Sequence, residues 1–250
     1  MISRAQTWVA EKLEKLSIVI PAFNEEQRLP GTLDRIAAYA EHSPIPIEEI
    51  LVVDDGSRDG TAALVKARTG IVRLVSNPGN RGKGYAVRSG MLAANGDWIL
   101  STDADLSAPI EELDKLIAAA RREHAVVAIG SRALNRKLVK VHQPMMRELS
   151  GRAFNLVMRL VTRLPFRDTQ CGFKLFHTEA AKSIFSRQRE EGFSFDVEDL
   201  VIARVLGLRA IEVPVEWSNV EGTKVSLTQG MKSFADLVRI RGRAVRGEYK

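Results

Sequence analysis

Short apolar runs alternate with amphipathic stretches through the first half of the chain. The runs are rich in Ile, Val and Leu and cover residues 17–20, 50–53, 72–75, 98–102 and 126–130. Between them, apolar residues recur with helical spacing at residues 29–39, 61–66, 85–94 and 113–121. Strands that alternate with helices predict parallel pairing through right-handed crossovers, and continuous apolar strands predict a sheet covered on both faces. We therefore predict an α/β fold with a mostly parallel sheet.

The regular alternation ends near residue 130, and the second half has a different pattern. It predicts a long apolar and basic helix, a strand or tight loop, a shorter helix and a final strand, at residues 145–166, 169–176, 179–187 and 211–215. No linker or shift in composition divides the chain. We expect one domain over residues 1–224, with a nucleotide-binding half at about 16–130 and an acceptor half at about 131–224. A basic amphipathic tail follows at residues 225–250.

Composition and charge narrow the class of protein. Cys171 is the only cysteine, so no intramolecular disulfide calls for an oxidising compartment. No stretch reaches the roughly 20 apolar residues of a membrane span, and residues 1–16 lack the apolar core of a signal peptide. We expect a cytoplasmic location. The net charge of +6 is concentrated in residues 132–167 and 232–250, which predicts an anionic partner.

Polar residues follow the predicted strands at the points where the strands end. In strand order, they are Asn24 and Glu25, then Asp54 and Asp55, then Lys83 in a Gly-rich loop, then Asp103 and Asp105. The carboxyl ends of parallel strands lie along one edge of a sheet, which is where open α/β sheets bind ligands. We therefore expect these side chains to meet at one site.

Asp103 and Asp105 are candidate metal ligands. Alternate residues of a strand point the same way, so the two carboxylates can converge where the strand ends. Two hard oxygen ligands suit Mg²⁺ or Mn²⁺, which take carboxylates together with substrate phosphate oxygens. Lys83 and the backbone N–H groups around it can offset the charge of a diphosphate. The alternative interpretation is a solvated turn or a helix cap.

Two common nucleotide-binding motifs are excluded. Gly84 stands where a Walker loop needs Ser or Thr to follow Lys83. The first strand runs into Pro21 and Ala22, so a Gly-rich dinucleotide fingerprint is missing. The pattern favours neither an ATPase nor a dehydrogenase. The Asp54-Asp55 loop can equally turn the chain and cap a helix.

Motifs along nearly the whole chain resemble family 2 glycosyltransferases of the GT-A fold. Within that family they resemble the branch of dolichyl-phosphate β-glucosyltransferases and polyprenyl-phosphate glycosyltransferases. The motifs shared by the whole family lie at residues 18–25, 53–61, 80–84, 103–105 and 130–132. Those that indicate the lipid-phosphate branch lie at residues 167–176, 195–198 and 221–224 and include Asp168-Thr169-Gln170-Cys171-Gly172-Phe173-Lys174.

The resemblance implies an inverting, metal-dependent transferase that moves a sugar, expected to be glucose, from a UDP-sugar to a polyprenyl phosphate. It implies donor binding by Pro21, Ala22, Asn24, Glu25, Asp54, Asp55, Lys83 and Asp103. It places Mg²⁺ or Mn²⁺ on Asp103 and Asp105, with Asp105 catalytic. It assigns the acceptor phosphate to Arg132 and Arg147.

Asp199 leaves a second acceptor open. Residues 197–199 resemble a Thr-Glu-Asp motif of other family members, in which the Asp is the catalytic base. A sugar hydroxyl would need such a base, whereas a phosphate monoester, with a second pKa of roughly 6, is already anionic. Asp199 can otherwise be a surface or capping residue. The alternative functions are therefore a family 2 transferase with a hydroxyl acceptor, and a non-catalytic basic module that binds membrane.

The basic tail allows two interpretations. Met231, Phe234, Val238 and Val245 recur at near-helical spacing among Lys and Arg residues. Such a helix can lie on an anionic membrane surface, as a peripheral anchor on the inner face, or pack its apolar stripe on the core. No nucleic-acid partner is expected, because aromatic residues for base stacking are not interleaved with the basic ones.

Overall fold

The computed structural model describes residues 15–43, 45–141, 155–220 and 227–250, and of residues 227–234 it describes the backbone alone. The strands are β1 Leu16–Ala22, β2 Ile47–Asp54, β3 Val72–Ser76, β4 Trp98–Ser101, β5 Val127–Ser131, β6 Val139–Val141, β7 Lys174–His177, β8 Ala210–Pro214 and β9 Trp217–Ser218. The helices are α1 Leu29–Ala40, α2 Thr61–Ala67, α3 Lys83–Ala93, α4 Leu113–Glu123, α5 at residues 155–162, α6 Thr178–Phe185, α7 Phe195–Val205 and α8 Leu227–Val245. Two 3-10 turns occupy Ile110–Glu112 and Arg136–Leu138.

Seven strands form one sheet in the order β3-β2-β1-β4-β7-β5-β8. Every neighbouring pair is parallel except those of β7, which runs antiparallel to both β4 and β5. The predicted mostly parallel α/β sheet is confirmed. Because β7 comes from the predicted acceptor half and its neighbours from the nucleotide-binding half, both halves share this sheet.

The reversed direction of β7 brings a second segment to the ligand-binding edge. Ser101, the last residue of β4, pairs with Lys174, the first residue of β7. The residues that follow β4 and those that precede β7 therefore leave the sheet at the same end. Residues 102–105 and 168–173 become neighbours in this way.

Two apolar clusters cover the two faces of the sheet. Ile18 and Ile20 of β1 face one cluster, with Leu33 of α1 and Leu116 of α4. Val19 points to the opposite face, which Met91 of α3, Leu200 of α7 and Phe185 of α6 cover. The alternation follows from strand geometry, in which successive side chains point to opposite faces. Helices on both faces agree with the continuous apolar strands of the sequence.

The C-terminal helix α8 packs on the second cluster. Leu237 and Ile240 are fully buried, and so is Tyr249 beyond the helix end. Val238 and Val245 are exposed on the other side, at 66% and 69%. The tail thus has a face on the core and a separate apolar face toward solvent. The side chains of Met231 and Phe234, which belonged to the predicted stripe, lie outside the described residues.

Within the described ranges, the helices are all too short or too polar to cross a membrane.

Candidate active site

Lys83 and Asp103 form an ion pair at the carboxyl edge of the sheet. Lys83 is the first residue of α3, and Asp103 follows the end of β4. Lys83 Nζ lies 2.6 Å from Asp103 Oδ1. Burial disfavours the charged form of each group, but Asp103 and Asp196 raise the pKa of Lys83, and Lys83 lowers the pKa of Asp103. Both groups are therefore charged at neutral pH.

Asp105 has a different environment, although only Ala104 separates it from Asp103. Its side chain is partly exposed, and its Oδ1 accepts a hydrogen bond from Ser107 N at 3.0 Å. None of the residues that the structure describes donates a hydrogen bond to Oδ2. Leu106 adopts a positive φ of 45°, and its N–H donates to Asp103 O at 3.2 Å, so the chain turns at Asp105. Asp105 therefore presents an oxygen that can take a further ligand.

Gly172 fits directly against Asp103. A Cβ at Gly172 would lie 2.6 Å from Asp103 Cγ, closer than real Cβ contacts allow. The same two residues line a small recess beside β4, together with Thr102, Ser107, Ala108, Cys171, Phe173 and Trp217. Burial raises the pKa of the Cys171 thiol to about 11, so this cysteine is protonated and unreactive at neutral pH.

Asp54 and Asp55 are buried at the end of β2 and hold neighbouring loops. Asp55 accepts from Asn77 Nδ2 at 3.0 Å and from the backbone N–H groups of Arg81 and Gly82 at 3.1 and 2.7 Å. Asp54 Oδ1 accepts from the N–H of the next turn at 3.1 Å. The Asp55 carboxylate therefore anchors the Gly-rich loop that carries Lys83.

Asn24 and Glu25 lie on the same edge, where β1 ends beside β2. Asn24 adopts a positive φ of 56°, and its Oδ1 accepts from Arg58 N at 2.8 Å. The Glu25 carboxylate accepts two hydrogen bonds from the Arg28 guanidinium, at 2.7 and 2.9 Å. The last two residues of β1, Pro21 and Ala22, pair with Val53 and Asp54 of β2.

Close packing explains the glycine at position 84. A Cβ there would lie 2.6 Å from Glu190 O and 2.8 Å from Phe195 Cβ. A Ser or Thr, as in a Walker loop, would not fit. The departure from the Walker pattern therefore follows from the contact between this loop and the segment before α7.

Arg132 is held by Asp168 in a two-point ion pair. Arg132 Nε and Nη2 donate to the Asp168 carboxylate at 2.6 and 2.8 Å, and Arg132 N donates to it at 3.0 Å. The guanidinium also lies 5.3 Å from the ring centre of Trp217. Burial disfavours both charges, but each partner stabilises the other, so the pKa of Asp168 is lowered and that of Arg132 is raised. Arg147 lies outside the described residues.

Glu212 of β8 accepts hydrogen bonds from the two segments that carry Arg132 and Asp168. Its Oε1 accepts from Asp168 N at 2.7 Å and from Ser131 Oγ at 2.7 Å. Its Oε2 accepts from Arg167 N at 2.9 Å. Arg132 is therefore a preorganised cation, with the Nη1 edge of its guanidinium directed away from the Asp168 carboxylate.

Asp196, in the first turn of α7, lies near Lys83 of the Lys83–Asp103 ion pair. Asp199 lies about one turn further along the same helix. Asp196 is buried and pairs with Lys174. Burial raises the pKa of Asp196 above its ordinary value, although Lys174 and Lys83 oppose the shift. Asp199 is 2% exposed, and within the described residues its Oδ1 has no hydrogen-bond partner. Burial, followed by Glu198 and Asp196, raises its pKa well above the ordinary value.

Comparison with known proteins decides the family. Residues 17–185 match the model of Glycosyl transferase family 2. The chain belongs to this family.

Several curated proteins similar to this glycosyltransferase are named as dolichyl-phosphate beta-glucosyltransferases. The Trichomonas vaginalis protein "Dolichyl-phosphate beta-glucosyltransferase ALG5D" is 36% identical over 239 residues, which is 90% of this chain and 72% of that one. The human dolichyl-phosphate beta-glucosyltransferase is 34% identical over 95% of this chain and 78% of its own. The Saccharomyces cerevisiae protein of the same name is 34% identical over 94% and 76%.

Solved structures confirm the predicted GT-A fold. Mannosyl-3-phosphoglycerate synthase from Rubrobacter xylanophilus superposes with a TM-score of 0.71 and 19% identity, over 98% of this chain and 78% of that one. Glucosyl-3-phosphoglycerate synthase from Mycobacterium tuberculosis, crystallised with Mn²⁺, UDP-glucose and phosphoglyceric acid, superposes with a TM-score of 0.69 and 19% identity, over 97% and 84%. The glycosyltransferase is an enzyme of this architecture.

Asp103 and Asp105 fit a metal site in which the substrate supplies further ligands. The described residues contain no group of three or more His, Cys, Asp or Glu side chains that could enclose a metal ion. Asp103 and Asp105 offer hard oxygens, which suit Mg²⁺ or Mn²⁺ with other ligands from phosphate and water. Because Lys83 already neutralises Asp103, Asp105 is the stronger candidate ligand of the two.

Several residues of the glycosyltransferase site were not predicted from sequence. Gly172 and Trp217 line the recess beside Asp103, and Asp168 holds Arg132. Asp196 acts on Lys83 from α7. A signal existed for Gly172 and Asp168, since both belong to the motif at residues 168–174. Trp217 follows the last strand of the main sheet, where an aromatic residue alone does not indicate a site.

Proposed function

We propose that this glycosyltransferase moves glucose from UDP-glucose to the phosphate of a polyprenyl or dolichyl lipid, with inversion at the anomeric carbon. The observation that carries the proposal is the Lys83–Asp103 ion pair beside Asp105, at the sheet edge where the nucleotide loops meet. Relatives at 34–37% identity that are named dolichyl-phosphate beta-glucosyltransferase support glucose as the sugar and a lipid phosphate as the acceptor. The UDP-glucose named for the Mycobacterium tuberculosis structure supports the donor.

Asp105 and Asp103 would hold Mg²⁺ or Mn²⁺. A bound divalent cation supplies stabilisation of the negative charge on the departing diphosphate. The Mn²⁺ named for the Mycobacterium tuberculosis structure supports a divalent metal in this fold. Mg²⁺ fits the same oxygen ligands.

Lys83 would bind the diphosphate and stabilise it as it leaves. The anomeric C–O bond to the UDP oxygen breaks while a bond forms to an oxygen of the acceptor phosphate on the opposite face. Negative charge on the diphosphate therefore grows in the transition state, and a fixed ammonium stabilises it more there than in the ground state. Asp103 keeps that ammonium charged and in place.

The loops at the ends of β1 and β2 would bind the uridine and ribose. Pro21, Ala22, Asn24, Glu25, Asp54 and Asp55 lie together there. Asn24, Glu25 and both Asp carboxylates also shape the loops through their hydrogen bonds. Carboxylate oxygens have room for more than one donor, so a base or ribose hydroxyl can share them.

Arg132, together with Arg147, would bind the acceptor phosphate. Asp168 occupies two donors of the Arg132 guanidinium, which leaves the Nη1 edge for a phosphate oxygen. Guanidinium groups suit phosphate because they are planar and always charged. The preorganisation by Asp168 and Glu212 removes much of the entropy cost of fixing the side chain.

The surroundings of Asp199 favour a phosphate acceptor over a hydroxyl. A general base must reach the proton that it removes, either directly or through one water. The buried Asp199 carboxylate lies beside Glu198, Asp196 and Lys174, and its raised pKa favours the neutral acid. A phosphate dianion needs no such base.

The exposed apolar side of α8 supports a peripheral position on an anionic membrane surface, where a polyprenyl phosphate is found. Val238 and Val245 face solvent, with Arg239, Arg241 and Arg246 near them in the sequence. Such a helix can bury its apolar side at the lipid boundary while its cations meet the headgroups. We place the enzyme on the cytoplasmic face.

The test is a transfer assay with a panel of nucleotide sugars and short polyprenyl phosphates, with products identified by mass. Glucosyl polyprenyl phosphate should form from UDP-glucose, and Asp199→Asn should retain turnover within about tenfold. Transfer to a sugar hydroxyl alone, abolished by Asp199→Asn in a folded protein, would replace the lipid-phosphate acceptor with a hydroxyl acceptor.

A further inference from the structure

Glu198 joins the C-terminal end of the chain to the loop before α7. The residue is fully buried. Its Oε1 accepts from Tyr249 Oη at 2.6 Å and from Arg243 Nη1 at 3.3 Å. Its Oε2 accepts from the backbone N–H groups of Arg189 and Glu190, at 2.8 and 2.6 Å. One carboxylate therefore links the tail to residues 188–192, which we name the bridging loop.

The bridging loop binds residues on both sides of Lys83. Gln188 Nε2 donates to Gly84 O at 2.9 Å, and Tyr85 N donates to Glu191 O at 3.2 Å. Before Lys83, the Arg81 guanidinium pairs with the Glu191 carboxylate at 2.6 Å. The position of the Lys83 loop therefore depends on the position of the bridging loop.

The two loops meet without space between them. A Cβ at Gly82 would lie 2.5 Å from Glu191 O, and one at Gly84 would lie 2.6 Å from Glu190 O. Such contacts transmit a displacement, because close-packed atoms cannot absorb it. A shift of the bridging loop would move the Lys83 ammonium away from Asp103 and from the donor.

Charge balance makes the Tyr249 hydroxyl important. Glu198, Glu190 and Asp236 are buried acids close together, and burial and the two neighbouring acids raise the pKa of Glu190. Arg243 serves both Glu190 and Glu198, with its shorter contact of 2.7 Å to Glu190. Without Tyr249, Glu198 Oε1 would keep only the 3.3 Å contact to Arg243. A buried carboxylate with too few donors is costly, so the structure around it shifts.

We propose that residues 243–250 are a positioning element for the donor, with Tyr249 as its positioning residue. Tyr249 acts through Glu198 and the bridging loop to fix Lys83 where it meets the diphosphate. The proposal rests on the proposed function in one respect, namely that Lys83 binds the diphosphate of the donor. Residues 243–250 therefore affect the affinity for the donor and do not affect the binding of the acceptor.

The experiment compares Tyr249→Phe with Tyr39→Phe. The first removes only the hydroxyl that donates to Glu198. The second is a matched control, because it removes a hydroxyl that also donates to a carboxylate, that of Asp114 at 2.7 Å, on the helices α1 and α4. For Tyr249→Phe we expect the Kd for UDP, measured by calorimetry with metal present, to rise about five- to tenfold, since one hydrogen bond to a charged group is lost. Tyr39→Phe should leave it unchanged.

Kinetics separate positioning from general damage. In Tyr249→Phe the KM for UDP-glucose should rise with the Kd, while the KM for polyprenyl phosphate stays within about twofold. Gln188→Met changes the bridging loop without touching the tail and should show the same split, which keeps the test valid if Tyr249→Phe folds poorly. An unchanged Kd for UDP in both folded variants would overturn the positioning role. UDP binding is measured without acceptor, so failure of the wild-type enzyme to use polyprenyl phosphate would count against the proposed function alone.

Discussion

Neighbouring carboxylates at the candidate site have different roles because their partners differ. Asp103 forms an ion pair with Lys83, whereas Asp105 accepts only one hydrogen bond from the described residues, from Ser107 N. Removing the charge of Asp103 would leave the Lys83 ammonium without the carboxylate that it contacts, which destabilises the fold. Removing the charge of Asp105 would leave the fold intact, because an amide oxygen can still accept from Ser107 N.

Asp105→Asn should therefore separate catalysis from stability. We expect turnover to fall more than about 10²-fold, on the scale of losing one strong electrostatic stabiliser, while the Tm stays close to that of the wild type. The measurements are glucosyl transfer at saturating Mn²⁺ and thermal unfolding monitored by circular dichroism. Full turnover of Asp105→Asn in excess chelator would show that Asp105 does not bind a metal that the reaction needs.

Asp199→Asn should alter how stability depends on pH. The pKa of Asp199 is raised in the folded protein, so the folded state binds its proton more tightly than the unfolded state, whose pKa is about 3.9. This residue therefore stabilises the fold below about pH 4 and loses that contribution as pH rises through its folded pKa. The asparagine side chain does not ionise, so the variant keeps its stability where the wild type loses it. The Tm of the variant should therefore rise relative to that of the wild type as pH increases from about 4 to 8. Parallel Tm curves over that range would show that Asp199 ionises freely.

At the scale of elements, the antiparallel strand β7 determines what lies beside Asp103. Its direction brings Gly172 against the Asp103 carboxylate, and Asp168 beside Arg132. The glycine is required by space, since its φ is not positive. A side chain at this position would displace the carboxylate that holds Lys83.

Gly172→Ala tests this contact. The added methyl group should push Asp103 out of line with Lys83 and lower kcat/KM for the donor at least about tenfold, because a misplacement of about 1 Å can cost about a hundredfold. Gly31→Ala is the control, since a Cβ at that position in α1 meets nothing within 4 Å. It should retain full activity and equal or better stability. Wild-type kinetics in Gly172→Ala would show that the two loops separate easily.

The sequence predicted the local elements better than their pairing. Residues 29–39 were predicted as helical and α1 covers Leu29–Ala40, because apolar periodicity reports which face is buried. The direction of β7 was not predicted, since a short apolar run reads the same in a parallel or antiparallel pair. Likewise, Arg132 was identified by its motif, but its pairing with Asp168 spans 36 residues and follows only from the register of the sheet.

The whole molecule combines a net charge of +6 with an apolar strip of α8 that faces solvent. The wild-type protein should bind liposomes that contain anionic lipid at low salt and be released as salt rises. Each basic residue near such a surface contributes about 1 kcal/mol, and ions screen that attraction.

Val238→Glu with Val245→Glu should weaken this binding and leave the Tm unchanged, since both side chains point away from the core. Sedimentation with and without anionic lipid measures it. Equal sedimentation of the double variant and the wild type with anionic liposomes would assign the exposed strip of α8 to some other contact.

The place of β7 in the sheet also has a consequence for how the chain is made. β4 and β5 are neighbours only through β7, so a nascent chain that ends before residue 174 has the strands β3-β2-β1-β4 with an open edge at β4, and its β5 has no partner in this sheet. Open edges can pair with other chains. Ribosome-bound fragments shorter than about 174 residues should therefore depend on chaperones, and protection from protease should appear in one step once β7 has left the exit tunnel. Synthesis, rather than the finished fold, is then the stage at which this enzyme is most exposed to aggregation.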